Sequence, residues 1–163
     1  SVDGIPYDWK FLYGVAGYHL KACEMNAAFG LVQLDKLEGF LTTRRQMVER
    51  YLENLKECSY YTLPDDSVKP NWLAIPLQCP HRLEVVKYLE EHEVQTRVTF
   101  AGNITRHPAF REYLGDFENA DKIMKDGFLL GAHHGMTLED VDRVCDLLKS
   151  FAEMKQQKGK YFH

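Results

Sequence analysis

From Cys23 onward, apolar residues recur every three or four positions through Met25, Ala28, Phe29, Val32, Leu34, Leu37 and Leu41, and this spacing predicts a helix. Leu31 widens the stripe. A helix apolar over so much of its circumference is usually buried between two layers, so a second layer is expected from another subunit. Gly39 predicts a bend. Residues 42–57 then set Met47, Val48, Tyr51 and Leu55 among Arg44, Arg45, Glu49, Arg50, Glu53, Lys56 and Glu57, the pattern of a solvated amphipathic helix.

After the turn-forming Pro64-Asp65-Asp66-Ser67, residues 72–77 read as a strand; Pro76 counts against that reading, since proline donates no ladder hydrogen bond and prefers a sheet edge. Pro80 opens a short helix carrying Leu83, Val86 and Leu89 that ends near His92. Val94, Thr96, Val98 and Phe100 then alternate with Gln95, Arg97 and Thr99. This is a half-buried strand with Arg97 directed away from the core. Ala101-Gly102-Asn103 closes it, and residues 104–108 form a loop with Arg106 and His107. Asn119 is the expected cap of a helix containing Ala120, Ile123 and Met124, and a strand at 128–130 ends at Gly131. Beyond the His133-His134-Gly135 turn, residues 137–140 resemble a capping box. Leu138, Val141, Val144, Leu148 and Phe151 line a last helix, and a frayed tail follows at 155–163.

This order predicts an α/β, α+β-like domain: a small mixed or antiparallel sheet covered by helices on one face. Four segments are expected: 1–22 as an interface or active-site loop, 23–57 as long connecting helices, 58–154 as the small domain, and 155–163 as the tail. The opening segment sets Tyr7, Trp9, Phe11, Tyr13 and Tyr18 among glycines, a density of aromatic surface that implies a partner to cover it.

Length and composition narrow the class. With 163 residues, 45% apolar and 27% charged, the chain suits one ordinary globular core. A net charge of −4 with scattered basic residues argues against nucleic acid, and no apolar run approaches the ~20 residues of a membrane span. The start lacks the features of a signal peptide, so a cytoplasmic location is expected. Cys23, Cys58, Cys79 and Cys145 lie far apart with no Cys-x-x-Cys, which suits reduced thiols rather than zinc ligands.

No self-contained catalytic motif is present, but polar residues gather where strands end, the usual place for ligands in α/β folds. Arg97 and Arg106 read either as recognition forks for phosphate or carboxylate, or as members of surface ion pairs. His107, His133 and His134 read as metal ligands or proton carriers, or as loop histidines bonded to backbone. His19, just before a helix start, suits an anion or simple packing.

The segment Gly17-Tyr18-His19-Leu20-Lys21-Ala22-Cys23-Glu24-Met25-Asn26-Ala27-Ala28, continued by Gly30-Leu31 and Gln33-Leu34-Asp35-Lys36-Leu37, resembles the DegT/DnrJ/EryC1/StrS family of sugar aminotransferases and dehydratases. Residues 96–108, Thr-Arg-Val-Thr-Phe-Ala-Gly-Asn-Ile-Thr-Arg-His-Pro, are similar to the branch that removes the 3-hydroxyl of CDP-4-keto-6-deoxyglucose, as are residues 120–124 and the run through Gly131 to Thr137.

The resemblance implies the C-terminal portion of a fold-type-I enzyme that uses pyridoxal or pyridoxamine 5'-phosphate. The large domain, with the catalytic Lys or His, lies upstream, so no catalytic residue is expected within this chain. It also implies a homodimer, a nucleotide-linked keto sugar as substrate, an iron–sulfur centre with upstream ligands, a reductase partner, and a place in deoxysugar biosynthesis such as that of lipopolysaccharide. Carried onto this sequence, Tyr18 and His19 fall at the cofactor phosphate of the partner subunit, and Arg97, Asn103, Arg106 and Lys122 on the sugar-nucleotide side. His19 stands where the family has Asn, Cys23 where it has Thr, Lys122 where the dehydratase branch often has Arg, and His133-His134 where an aromatic-Pro pair is usual. The Phe100–Asn103 block favours C3 deoxygenation. The alternatives are a nucleotide-sugar aminotransferase and a non-catalytic binding or dimerisation domain.

Overall fold

The structure is a computed structural model that describes Tyr18 and residues 22–67 and 71–160. The chain divides into two units, Ser1–Lys36 and Leu37–His163. Helix α1, Glu24–Leu55, is continuous over 32 residues. The helix is not interrupted at Gly39, where a bend was expected. A glycine costs a helix only about 1 kcal/mol, too little to break one of this length, even though the Thr42 and Thr43 hydroxyls donate back to the carbonyls of Glu38 and Gly39 at 2.9 and 3.0 Å, a bond that weakens helices slightly. The apolar stripe of the first unit stands open, with Met25 77%, Phe29 69% and Leu34 63% exposed. Burial on α1 comes only at Met47, Val48, Tyr51 and Leu55.

Those four side chains face the core of the second unit. Strands β1 (Ala74–Gln78), β2 (Thr96–Val98) and β3 (Gly127–Gly131) form an antiparallel sheet in the order β1-β3-β2. In register, Ile75 and Thr96 flank Leu130, while Leu77 and Val98 flank Phe128. Ile75, Leu77, Phe128 and Leu130 are all buried, together with Val85 and Leu89 of α2 (Arg82–Glu91) and Val141, Val144, Cys145 and Leu148 of α4 (Leu138–Lys160). Each such side chain contributes about 1.5–3 kcal/mol by leaving water. The opposite face aligns Pro76, Leu129 and Arg97 across the three strands, and Pro76 sits on an edge strand as its missing N–H requires.

Polar ties hold the helices in place. Arg50 donates Nε and Nη2 to Asp142 at 2.6 and 2.7 Å, Asn54 adds a bond of 2.7 Å, and the buried Tyr61 hydroxyl donates to the Leu148 carbonyl at 2.9 Å. The capping box at α4 forms as expected: Thr137 N donates to Asp140 Oδ2 at 2.8 Å, and Asp140 N returns to Thr137 Oγ1 at 3.2 Å.

Three further expectations need correction. Strand β2 stops at Val98, and Phe100, expected on the core side, is 87% exposed, because the chain turns into a left-handed conformation at that residue. Asn119 lies inside α3 (Glu118–Asp126), whose N-cap is Phe117. The tail is helical to Lys160, in keeping with the helix-forming residues 153–158. All four cysteines are free; Cys79 and Cys145 are buried and Cys23 is exposed. Among the described residues no helix is long and apolar enough to cross a membrane.

Candidate functional site

Past β2 the chain makes a tight hook. Phe100 N donates to the Val98 carbonyl at 2.8 Å and Gly102 N to that of Thr99 at 3.0 Å. Both Phe100 (φ 46°) and Gly102 (φ 57°) are left-handed. Gly102 lies flat against α3, where a Cβ would meet Met124 Cβ and Cγ at 2.6 Å and its Cα at 2.9 Å, so only glycine fits there without a shift. The hook holds Phe100 out in solvent, in a conformation that costs a non-glycine residue on the order of 1–3 kcal/mol and persists only where its surroundings enforce it.

Asn103 anchors the far side of the hook. Its side chain is buried, and Oδ1 caps the 3-10 turn at Ile104–Arg106 by accepting from Thr105 N at 3.1 Å and Thr105 Oγ1 at 2.7 Å. Nδ2 donates to Asp121 Oδ1 at 2.7 Å. The Arg106 guanidinium grips both oxygens of the same carboxylate through Nε and Nη2. Arg106 and Asn103 together hold the Asp121 carboxyl well below its ordinary range, at about 2. His107 Nε2 bonds the Ala101 carbonyl at 2.8 Å; a carbonyl only accepts, so this nitrogen carries the proton. Beyond α3's first turn, Lys122 Nζ reaches Asp126 Oδ2 at 3.1 Å, while Asp126 Oδ1 and Thr99 Oγ1 are buried with no partner among the described residues.

Of the residues singled out in the sequence, Asn103 and Arg106 are brought together on one carboxylate, with Lys122 next in sequence to that aspartate. Arg97 is not part of this cluster. Its Nη1 donates to the Thr96 carbonyl at 2.7 Å, and its side chain lines a separate cavity. Tyr18 is 95% exposed, and His19 lies outside the described residues. His133 Nδ1 accepts from Gly135 N at 3.1 Å and His134 stacks on Phe40 at 3.9 Å, so both behave as loop histidines, and the described residues contain no cluster able to hold a metal. Sequence reasoning missed Asp121 as the hub. A carboxylate 15 residues from its arginine leaves no local periodicity to read.

The DegT/DnrJ/EryC1/StrS aminotransferase family profile matches residues 2–149. The lipopolysaccharide biosynthesis protein RfbH of Salmonella typhimurium is 34% identical over 89% of this chain and 36% of its own length. The dTDP-4-dehydro-2,6-dideoxy-D-glucose 3-dehydratase of Saccharopolyspora spinosa is 31% identical over 89% and 34%. Among solved structures, the E. coli GDP-4-keto-6-deoxy-D-mannose-3-dehydratase with bound hydrated PLP superposes with a TM-score of 0.77 at 23% identity, covering 85% of this chain and 38% of that one. DesV of S. venezuelae, in complex with a ketimine intermediate, superposes at 0.80 and 19% identity over 88% and 40%. The chain thus spans between a third and two-fifths of the length of these relatives, in their C-terminal portion. The matched profile, the ordered sequence blocks and the small antiparallel sheet under its helices make this chain a member of the DegT/DnrJ/EryC1/StrS aminotransferase family.

Proposed function

We propose that this chain is the C-terminal part of a pyridoxal- or pyridoxamine-phosphate-dependent enzyme that deoxygenates C3 of a nucleotide-linked 4-keto-6-deoxyhexose. The observation that carries this reading is the 31% identity to a named 3-dehydratase, in a chain whose 99–107 segment folds as a braced hook rather than a loose loop. When bound, such a cofactor acts as the electron sink for the sugar's carbon frame. The cations near the hook are spent internally, Arg106 on Asp121 and Lys122 on Asp126. That donor set suits the hydroxyls of a sugar better than a free phosphate, so the cradle for the cofactor phosphate is assigned elsewhere: to upstream residues of the whole enzyme and, from this chain, to Tyr18 and His19 reaching a partner subunit.

In this scheme Asn103, Arg106 and Lys122 border the sugar, and the hook excludes water from one side of it. The whole enzyme is a homodimer served by an iron–sulfur centre and a reductase, and it works in the cytoplasm. The test is to incubate the full enzyme, loaded with pyridoxamine phosphate, with a nucleotide-linked 4-keto-6-deoxyhexose, a reductase and NADH. A 3-deoxy product without amine incorporation is the expected result. An amino sugar formed from glutamate instead would transfer the reading to the aminotransferase alternative.

A further inference from the structure

Away from the hook, the second unit holds a cavity of about 470 Å³ between the C-terminal half of α1, the first turns of α4, and the sheet where β1 and β2 begin and β3 ends. Leu73, Leu129 and Met136 supply apolar wall, Arg97 and Arg143 supply charge, and Tyr51 closes the deep end. The hydrogen-bonding capacity of this lining is unbalanced. Among the described residues each guanidinium is hydrogen-bonded only to a backbone carbonyl, Arg97 Nη1 to Thr96 and Arg143 Nη2 to His92 at 2.5 Å, and neither is ion-paired. The Tyr51 side chain is fully buried, yet its hydroxyl has no partner among the described residues. His133 also lines the cavity; its Nδ1 accepts from Gly135 N, which leaves Nε2 as the protonated nitrogen.

On the acceptor side the cavity has two carboxylates and the amide oxygen of Gln95. Asp140 gives Oδ2 to the Thr137 amide and hydroxyl, which leaves it half committed to the helix cap, and Glu93 stands exposed at the rim. Donors therefore exceed acceptors, while formal charge balances between Arg97 and Arg143 on one side and Glu93 and Asp140 on the other. A surplus of donors calls for an acceptor-rich group. Balanced charge favours a single negative charge over a phosphate dianion, and the apolar wall calls for a hydrocarbon body. We propose that this cavity binds a small organic monocarboxylate, its acid group held by Arg97 and Arg143 and its apolar body lying on Leu73, Leu129 and Met136. This site is separate from the sugar-facing hook and does not depend on the function proposed for it.

Phenylacetate serves as the probe, with phenylacetamide as its neutral isostere and inorganic phosphate as the competing anion, each titrated into the ¹⁵N-labelled chain and followed by amide shifts. Phenylacetate is expected to move the Leu73, Leu129 and Met136 amides in the millimolar range, and the amide and phosphate to bind at least about tenfold more weakly. Arg143→Gln, at an exposed position, should leave the unfolding midpoint nearly unchanged while phenylacetate binding weakens by about tenfold. Arg97→Gln should weaken it at least as much. The proposal is overturned if phenylacetate leaves those amides unmoved, if phosphate or phenylacetamide binds equally well, or if Arg143→Gln binds phenylacetate as tightly as the parent chain.

Discussion

Replacing Gly102 by alanine tests whether the hook is braced as described. Two costs combine. A left-handed φ of 57° is penalised by about 1–2 kcal/mol once a Cβ is present. The new methyl would also lie 2.6 Å from Met124 Cβ and 2.9 Å from its Cα, an overpacking that typically costs about 1–3 kcal/mol. A loss of about 2–5 kcal/mol follows, read as a fall in the urea midpoint at unchanged slope, or as a drop of several degrees in Tm for a chain of this size. Truncating Met124 to alanine in the same chain should return little of this, because the Cβ and Cα that cause the clash remain. The converse change, Phe100→Gly, removes a left-handed side chain that is 87% exposed, so it should stabilise by up to about 1 kcal/mol. A Gly102→Ala loss below about 0.5 kcal/mol, the size of an ordinary surface change, would refute the close approach to α3.

Other consequences can be checked in the same preparation. Because the folded Asp121 carboxyl titrates at about 2, below its unfolded value, its contribution to stability is complete above pH 4 and is lost as the pH falls towards 2. A carboxyl-detected NMR titration should show that low midpoint, and Arg106→Gln should raise it towards the ordinary value. Thr137→Ala removes the capping hydroxyl of α4 and should cost about 1 kcal/mol in denaturant melts, with the α4 amides exchanging faster. Leu77→Ala, at a fully buried site facing Phe128 across the strands, should cost about 2–5 kcal/mol, whereas Pro76→Ala on the same edge strand should stay within about 1 kcal/mol.

The parts of the fold legible in the sequence were those written in local periodicity and cap chemistry. The last helix with its Thr137–Asp140 box, the edge position of Pro76 and the helix-covered sheet could all be read from neighbouring residues. Gly39 misled because propensity is a weak lever inside a helix of 32 residues. The alternation through Val98 and Phe100 misled because the turn starting at Thr99 overrides a period-two pattern, and nothing in residue type alone announces a left-handed phenylalanine. Within the candidate site, Asn103 and Arg106 were visible as polar residues at a strand end. Their shared carboxylate and the diversion of Arg97 into another cavity are long-range facts that depend on how α3 and β3 close onto β2.

The sheet order β1-β3-β2 puts the last of the described strands between the two earlier ones. On a translating ribosome, β1 and β2 have no partner for each other and must wait for Gly127–Gly131, about fifty residues after β1 and roughly 3–10 s at 5–20 residues per second. During that interval the apolar side chains of Ile75 and Leu77 belong to a nascent segment with no ladder to join. The arrival of a single five-residue strand then completes both pairings at once, so closure of the sheet depends on that one stretch of synthesis.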